Sequence, residues 1–338
     1  MSIRVAINGF GRIGRAAFHI MIERGGDYDI VALNDLTDTK TLAHLLKYDT
    51  VYGHFPGDVS FTETSLIVKG KEYHVYSEKD PWKLPWKEKN IDVVIESTGF
   101  FRTGTLAKPH IDAGAKRVII SAPAKSEDVE TLVMGVNEDS KAKENEIVSN
   151  ASCTTNCIAP VAAIMHNNFG VLKATMTTIH SYTADQRLVD GPHKDLRRAR
   201  AAAQNIVPTT TGAAKATAKT IPELKGLFDG MAVRVPTVVG SLSDFTMLLS
   251  KKVSVDEVNN AFKKAITNPL YKDIVAVTED PIVSSDIIGS TYSAIVDLSL
   301  TKVVDGDLVK VIAWYDNEWG YANRLVDMIS NISGSHAG

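Results

Sequence analysis

Six residues near the start of the chain, Gly9-Phe10-Gly11-Arg12-Ile13-Gly14, constrain its fold more than any other stretch. They follow directly on an apolar run, residues 3–7, and open a segment that carries Ile13, Ala17 and Ile20 at helical spacing. A strand that turns on glycines straight into a helix is the setting a dinucleotide fingerprint requires. The first glycine permits the tight turn, the second lets a pyrophosphate approach the backbone, and the third lets helix and strand pack closely. By itself such a motif is a weak signal. Here a second apolar run, residues 30–33, ends at Asn34-Asp35. It places an acid about 20 residues beyond the glycines, where it accepts hydrogen bonds from ribose hydroxyls. Two further buried runs, residues 92–95 and 117–120, end in small polar residues that include Thr98 and Ser121. In an open parallel sheet such strand ends line the ligand crevice. Residues 66–68 and 73–76 flank Lys69-Gly70-Lys71-Glu72 as an inserted hairpin.

The middle of the chain carries Ser149-Asn150-Ala151-Ser152-Cys153-Thr154-Thr155-Asn156-Cys157. A strand pattern precedes it and a helical one follows, with Ile158, Val161, Ala162 and Met165 on one face. Cys153 therefore sits at a strand-to-helix turn, where uncapped N–H groups and the positive end of the helix stabilise an anion. The expectation is a thiol held down at roughly 3.5 to 7.5. Cys157 lies one turn deeper, in a structural position. Beyond this helix the alternating βα pattern gives way to long strands, over residues 172–181, 230–250 and 292–314, the last folded back at Val304-Asp305-Gly306-Asp307. His180 stands at the end of the first of these. Ser254-Val255-Asp256-Glu257 is a capping box for a helix through Ile266, and Leu325, Met328, Ile329 and Ile332 mark a final amphipathic helix expected to pack on the first domain. Residues 190–208 hold Lys194, Arg197, Arg198 and Arg200 with few large apolar groups. They read equally as a solvated basic face or as a loop that delivers arginine to a phosphate.

Composition sets the outer limits. A chain of 338 residues, 44% hydrophobic and 23% charged, has room for two ordinary cores. A net charge of -3 and a pI near 6.3 exclude a generally basic nucleic-acid binder. No apolar run approaches the roughly 20 residues of a membrane helix, and the start of the chain has no signal-peptide core, so a cytoplasmic protein without a membrane partner is expected. Two cysteines four residues apart form neither a disulfide framework nor a zinc site, and no metal is called for. A helix-start cysteine, a strand-end histidine and a dinucleotide crevice together point to thiol-dependent aldehyde oxidation, in which the thiol needs a base and the hydride an acceptor. A cysteine-histidine hydrolase would not need the nucleotide half.

The stretch from Ser149 to Cys157 resembles the active-site segment of the phosphorylating glyceraldehyde-3-phosphate dehydrogenases, and the likeness runs through nearly the whole chain. It implies a Rossmann-type α/β NAD-binding domain (1–152 with 318–338) and an α+β catalytic domain with a mainly antiparallel sheet (153–317), assembled as a homotetramer. It implies Cys153 as the nucleophile that forms a thiohemiacetal and then a thioester, and His180 as its base. Ser152, Thr154, Thr211 and Gly212 match the site of attacking phosphate. Thr183, Arg198 and Arg234 match positions serving the substrate phosphate or both anions. Asn317 matches the residue that fixes the nicotinamide carboxamide, and Tyr321 an aromatic neighbour of that ring. Gly9, Phe10, Gly11, Arg12, Ile13, Gly14, Asp35, Thr98 and Ser121 fall at the cofactor, as does Lys79, which replaces the more usual arginine and is tolerable if the adenine meets the backbone carbonyl. The substrates implied are glyceraldehyde 3-phosphate, inorganic phosphate and NAD. The rivals are an erythrose-4-phosphate dehydrogenase and a non-catalytic, nucleotide-responsive binding protein. The first usually lacks the run Thr209 to Lys215 and carries Glu in place of Asp35, and the second would have lost its chemical residues.

An ionised Asp35 repels a 2′-phosphate, Leu36 offers it no charge, and Pro192 matches the residue type of NAD-specific relatives. The catalytic efficiency with NAD should exceed that with NADP by about tenfold or more, the scale of one like-charge contact. Comparable steady-state efficiencies with the two cofactors would contradict this.

Overall fold

The computed structural model describes residues 2–139 and 141–333, so residues 334–338 of the final segment lie outside the described residues. Contacts divide the chain into two compact units, Met1–Leu132 with Glu138–Ala151 and Ala322–Gly338, and Val133–Asn137 with Ser152–Tyr321.

Among the described residues the first unit holds a nine-stranded sheet in the order Glu130–Thr131, Ile147–Ser149, Arg117–Ile120, Val93–Glu96, Ile3–Asn8, Tyr28–Asn34, Lys71–Tyr76, Ser65–Val68, Val59–Phe61. The first seven run parallel, and the last two add an antiparallel edge. This is the Rossmann-type architecture expected. The central strands are apolar throughout because helices and loops cover both faces of a parallel sheet: Val5, Ile7, Val93, Val94 and Ile95 are fully buried. The inserted hairpin turns on Lys69 and Gly70 alone, with φ of 50° and 78°. Two successive positive φ values match the twist of the flanking strands. Three strands end in register, with Asn8 opposite both Asn34 and Glu96. The C-terminal helix, Trp319–Ser333, buries Leu325, Val326, Met328, Ile329 and Ile332. Its residues from Ala322 onward belong to this unit, where Arg24 donates to Asp327 (2.5 Å) and Asn323 (2.7 Å).

The second unit is built on an eight-stranded mixed sheet, Val207–Thr210, Phe228–Val235, Val171–Ser181, Ser241–Leu249, Leu308–Tyr315, Ala294–Asp297 and Val275–Thr278 in order, with Lys302–Val304 also paired to Leu308–Tyr315. It is mainly antiparallel, with two parallel pairings. The strand expected over residues 230–250 is two strands, and they flank Val171–Ser181 on opposite sides, the first parallel to it and the second antiparallel. Alternation in a sequence reports which face a residue takes, and says nothing of which neighbour its strand finds. Residues 292–314 likewise break at the short helix Leu298–Leu300 before the turn at Asp305 and Gly306, again with positive φ (48° and 80°). The helix Cys153–Phe169 packs Ile158, Val161, Ile164 and Met165 into the same buried cluster as Met176, Phe245, Met247 and Val311 of the sheet. The capping box forms: Ser254 Oγ accepts from Glu257 N–H (3.2 Å), and Glu257 accepts from Ser254 N–H (2.7 Å).

Candidate active site

In the first unit the carboxyl ends of the parallel strands border a cleft of about 480 Å³ lined by Asn8, Gly9, Gly11, Asn34, Asp35, Leu36, Glu78, Lys79, Ser97, Thr98, Phe100 and Phe101. Gly9 has φ of 93°, and a Cβ there would lie 2.7 Å from the Thr98 nitrogen. A Cβ on Gly14 would lie 2.2 Å from the Gly9 carbonyl oxygen, so the third glycine admits the turn itself against the helix. Gly11 faces open space. It is the N-cap of the helix Arg12–Arg24 and supplies no side-chain cap, which leaves the first-turn N–H groups for an anion. Asp35 accepts from the N–H of Phe10 (2.7 Å) and of Thr37 (2.9 Å), which aims its carboxylate at the cleft rim. These features fit a dinucleotide: uncapped helix donors for a pyrophosphate and a fixed acid for ribose hydroxyls.

The other residues expected here divide by what their atoms already do. The Phe10 ring is buried against Phe18 and its N–H is held by Asp35. The Arg12 guanidinium pairs with Asp49 (2.8 Å), so its backbone remains as the group at the helix start. Ile13 is half-buried in the same first turn. Thr98 donates both its N–H (2.8 Å) and its hydroxyl to Glu96. Ser121 follows the strand Arg117–Ile120 and sets its N–H on the Glu96 carbonyl (2.9 Å).

The first unit's segment Glu138–Ala151 ends at Ala151, in the left-handed region (φ 54°), and the second unit enters its helix at Cys153 with Ser152 as N-cap. Ser152 Oγ accepts from Thr155 N–H (3.1 Å). Cys153 is half-buried, and its Sγ lies 3.4 Å from His180 Nε2. The His180 Nδ1 is 2.6 Å from the Ser181 carbonyl oxygen and 3.0 Å from Arg234 Nη1; the shorter contact, to an oxygen that can only accept, assigns the proton to Nδ1 and leaves Nη1 to donate to that carbonyl. Nε2 then presents its lone pair to the thiol. Arg234 Nη1 donates to the same carbonyl (3.0 Å) and reaches Thr183 Oγ1 (3.4 Å), while its buried Nε has no hydrogen-bond partner among the described residues. A buried guanidinium with an unpaired donor is suited to an anion.

The electrostatics depart from the sequence-based expectation. Burial pushes the Cys153 thiol up from its ordinary value, and Arg234 and the hydroxyl and N–H of Thr154 only partly offset it. The thiol is therefore not held down in the ligand-free site, because desolvation outweighs the helix start. Burial first, and Arg234 second, push His180 down to about 3. Thiol and neutral imidazole, rather than an ion pair, are the resting state. Cys157 is fully buried and pushed up by desolvation.

Arg198 is tied by Nε to Thr209 (2.9 Å), by Nη2 to the Thr210 carbonyl (3.0 Å) and by Nη1 to Asp185, yet its charge acts on both His180 and Arg234. Thr211 accepts from Ala213 N–H (3.2 Å) and, with Gly212, heads the helix Ala213–Thr220. The Thr154 hydroxyl, which with its N–H also acts on the Cys153 sulfur, lies 2.9 Å from the Tyr315 hydroxyl, which in turn meets Thr178 (2.8 Å). Asn317 Oδ1 accepts from Gly240 N–H (3.2 Å) and Ser241 Oγ (2.9 Å), which directs its Nδ2 outward as a donor. Tyr321 is buried in the first turn of the C-terminal helix. Sequence reasoning missed Tyr315 and Thr178. Their signal is only an aromatic and a hydroxyl on strands that become neighbours of the cysteine helix in the fold.

Residues 3–104 match the family model described as glyceraldehyde 3-phosphate dehydrogenase, NAD binding domain, and residues 152–317 the model of the C-terminal domain of the same enzyme. Proteins named glyceraldehyde-3-phosphate dehydrogenase are similar over nearly their full length. One from Streptomyces coelicolor is 57% identical over 97% of this chain and 98% of its own. One from Thermotoga maritima is 59% identical over 96% and 98%, and one from Geobacillus stearothermophilus 54% identical over 98% and 99%.

Cys153 should be alkylated well before Cys157, and His180→Asn should slow its labelling about 100-fold, the scale of one positioned base. Because His180 is unprotonated down to about 3, the advantage over the variant should persist at about pH 5. Iodoacetamide labelling with peptide mapping measures both; first labelling at Cys157, or equal rates in the variant, would contradict the arrangement.

Proposed function

The chain belongs to the glyceraldehyde-3-phosphate dehydrogenase family, and from that premise we propose that it converts glyceraldehyde 3-phosphate, inorganic phosphate and NAD to 1,3-bisphosphoglycerate and NADH, with Cys153 as nucleophile and His180 as base. The observation that carries the assignment is the 3.4 Å approach of Cys153 Sγ to an imidazole nitrogen whose lone pair is fixed toward it. Erythrose-4-phosphate dehydrogenase and a non-catalytic binding role are not favoured, since the relatives are named for the glyceraldehyde enzyme and the thiol-base pair is intact.

In this reading Cys153 Sγ bonds to the aldehyde carbon while His180 Nε2 takes the thiol proton. The oxygen that gains charge is met by the N–H of Cys153 at the helix start and by the imidazolium, which returns the proton to give the thiohemiacetal. Burial and, second to it, Arg234 disfavour a charged imidazole in the ligand-free site. A substrate phosphate on Arg234 and Thr183 cancels that charge, so binding itself prepares His180 to accept a proton. NAD, when bound in the cleft of the N-terminal unit, supplies the two-electron acceptor that turns the thiohemiacetal into a thioester. His180 takes the hydroxyl proton in that step. A phosphate oxygen held near Arg198, Ser152, Thr211 and Gly212 then attacks the acyl carbon, and the carbon–sulfur bond breaks to restore the Cys153 thiolate. Asn317 orients the carboxamide of the cofactor through its Nδ2.

The segment that bears Arg198 also exposes Leu188 (78%), Val189 (72%), Leu196 (80%) and Ile206 (70%). Apolar exposure on this scale supports burial against further copies of the chain, in keeping with a homotetramer. No helix among the described residues is long and apolar enough to cross a membrane. A cytoplasmic location is proposed with the glycolytic and gluconeogenic role.

Anchoring phosphate beside the thioester makes its attack effectively intramolecular, an advantage that reaches about 7 kcal/mol in favourable cases, and water lacks that anchoring. Sustained NADH formation should therefore require inorganic phosphate or arsenate. Thr211→Ala should raise the KM for phosphate several-fold and leave the pre-steady-state burst intact. Full turnover in phosphate-free buffer would contradict the phosphorylating step and indicate hydrolysis to the acid.

A further inference from the structure

Beneath the nucleotide cleft lies a buried polar row that the chemistry above does not use. Glu96, His110, Asn8 and Asn34 are 1%, 0%, 1% and 4% exposed. Asn8, Asn34 and Glu96 are the last residues of three adjacent parallel strands and stand in register, and His110 comes from the helix Gly104–Asp112. Asn8 Nδ2 lies 3.3 Å from His110 Nε2 as well as on Glu96, so the direction of the row turns on which His110 nitrogen carries the proton. Trp86 has only an N–H to give, and it gives it to His110 Nδ1 at 3.0 Å. The His110 proton must then be on Nε2, which donates to Glu96 Oε2 at 3.2 Å. Asn8 Nδ2 donates to the same oxygen at 2.5 Å. The other carboxylate oxygen receives the N–H of Thr98 (2.8 Å) and its hydroxyl. Four donors thus converge on one buried carboxylate, which is the full complement an ionised acid accepts.

The direction continues across the cleft. With its Nδ2 on Glu96, Asn8 presents Oδ1 to Asn34 Nδ2 (2.6 Å), and Asn34 Oδ1 in turn accepts the N–H of Glu78 (2.9 Å). Glu78 and Thr98 lie on the cleft wall, and the row joins them through its floor. We infer that Glu96 is a positioning residue for the cofactor: it fixes the Thr98 turn and the Asn8–Asn34 amides and so sets the shape of the nucleotide cleft, with Trp86 and His110 locking the direction of the network. The inference rests on the reading that this cleft holds NAD. A Gln at position 96 would turn an NH₂ group toward donors on one side or the other. His110 cannot accept it by changing tautomer, since its other nitrogen would then present a proton to Trp86.

The test is calorimetric titration of the ligand-free protein with NAD, alongside the alkylation rate of Cys153 in its absence. Glu96→Gln should raise the Kd for NAD by about tenfold or more, the scale of a buried donor left unmatched, and Trp86→Phe should raise it several-fold. Both should leave the ligand-free alkylation rate within about twofold of wild type, the tolerance for sites without shared partners. Val129→Ala, which thins the same apolar core without touching the row, should lower thermal stability and leave Kd unchanged. Should Glu96→Gln fail to fold, Trp86→Phe set against Val129→Ala decides the matter. A wild-type Kd in a folded row variant, or an equal rise in Val129→Ala, overturns the positioning role. A wild-type protein that does not bind NAD overturns the cofactor reading and this inference with it.

Discussion

A buried imidazole carries one proton on one of two nitrogens, and the chemistry of this protein depends on which. The Ser181 carbonyl, 2.6 Å from His180 Nδ1, accepts the hydrogen bond that holds the proton there and leaves the lone pair of Nε2 facing Cys153. The carbonyl is itself fixed, because Ser181 pairs with Val235 of the parallel strand and is tied on its other side by its N–H to Ser241 Oγ and by its hydroxyl to the Gly240 carbonyl. Arg234 enters from the adjacent parallel strand, opposite His180 in register. The parallel pairing therefore does more than complete a sheet. It brings a guanidinium beside His180, where burial first and this charge second disfavour the imidazolium.

The two units solve a similar problem with the same device. Each ends buried strands at a site and lets the terminal side chains hold one another. In the first unit the ends are Asn8, Asn34 and Glu96, joined through a carboxylate that collects donors. In the second they are His180 and Arg234, joined through a carbonyl. Both units also open a helix beside these strand ends, at Arg12 after an uncapped glycine and at Cys153 after Ser152. The difference lies in what the helix start faces. Gly11 leaves open space, whereas Cys153 fills that place with a thiol, the group proposed as nucleophile.

Much of this was legible in the sequence because it is local. The fingerprint, the hairpin at Lys69-Gly70, the capping box at Ser254 and the placement of Cys153 at a helix start all depend on residues within a few positions of one another. The directions of hydroxyl groups were not legible. Thr154 turns to Tyr315, 161 positions away, and Thr98 turns inward to Glu96 instead of outward. The thiol was misjudged for a related reason: the helix start is a local feature that lowers it, but the burial that raises it comes from the whole unit. Parallel pairing of Phe228–Val235 with Val171–Ser181 was also hidden, since an alternating pattern is the same for either neighbour.

The central claim is that Cys153 carries the acyl group and His180 carries the proton. It is tested most directly by mixing the protein with NAD and glyceraldehyde 3-phosphate in phosphate-free buffer, quenching in acid within the first turnover, and weighing the peptide that contains Cys153. The account predicts a stable acyl adduct on Cys153, in step with NADH formed, and about 100-fold slower accumulation in His180→Asn. NADH formation with no adduct on Cys153, or with the acyl group on another residue, would contradict it.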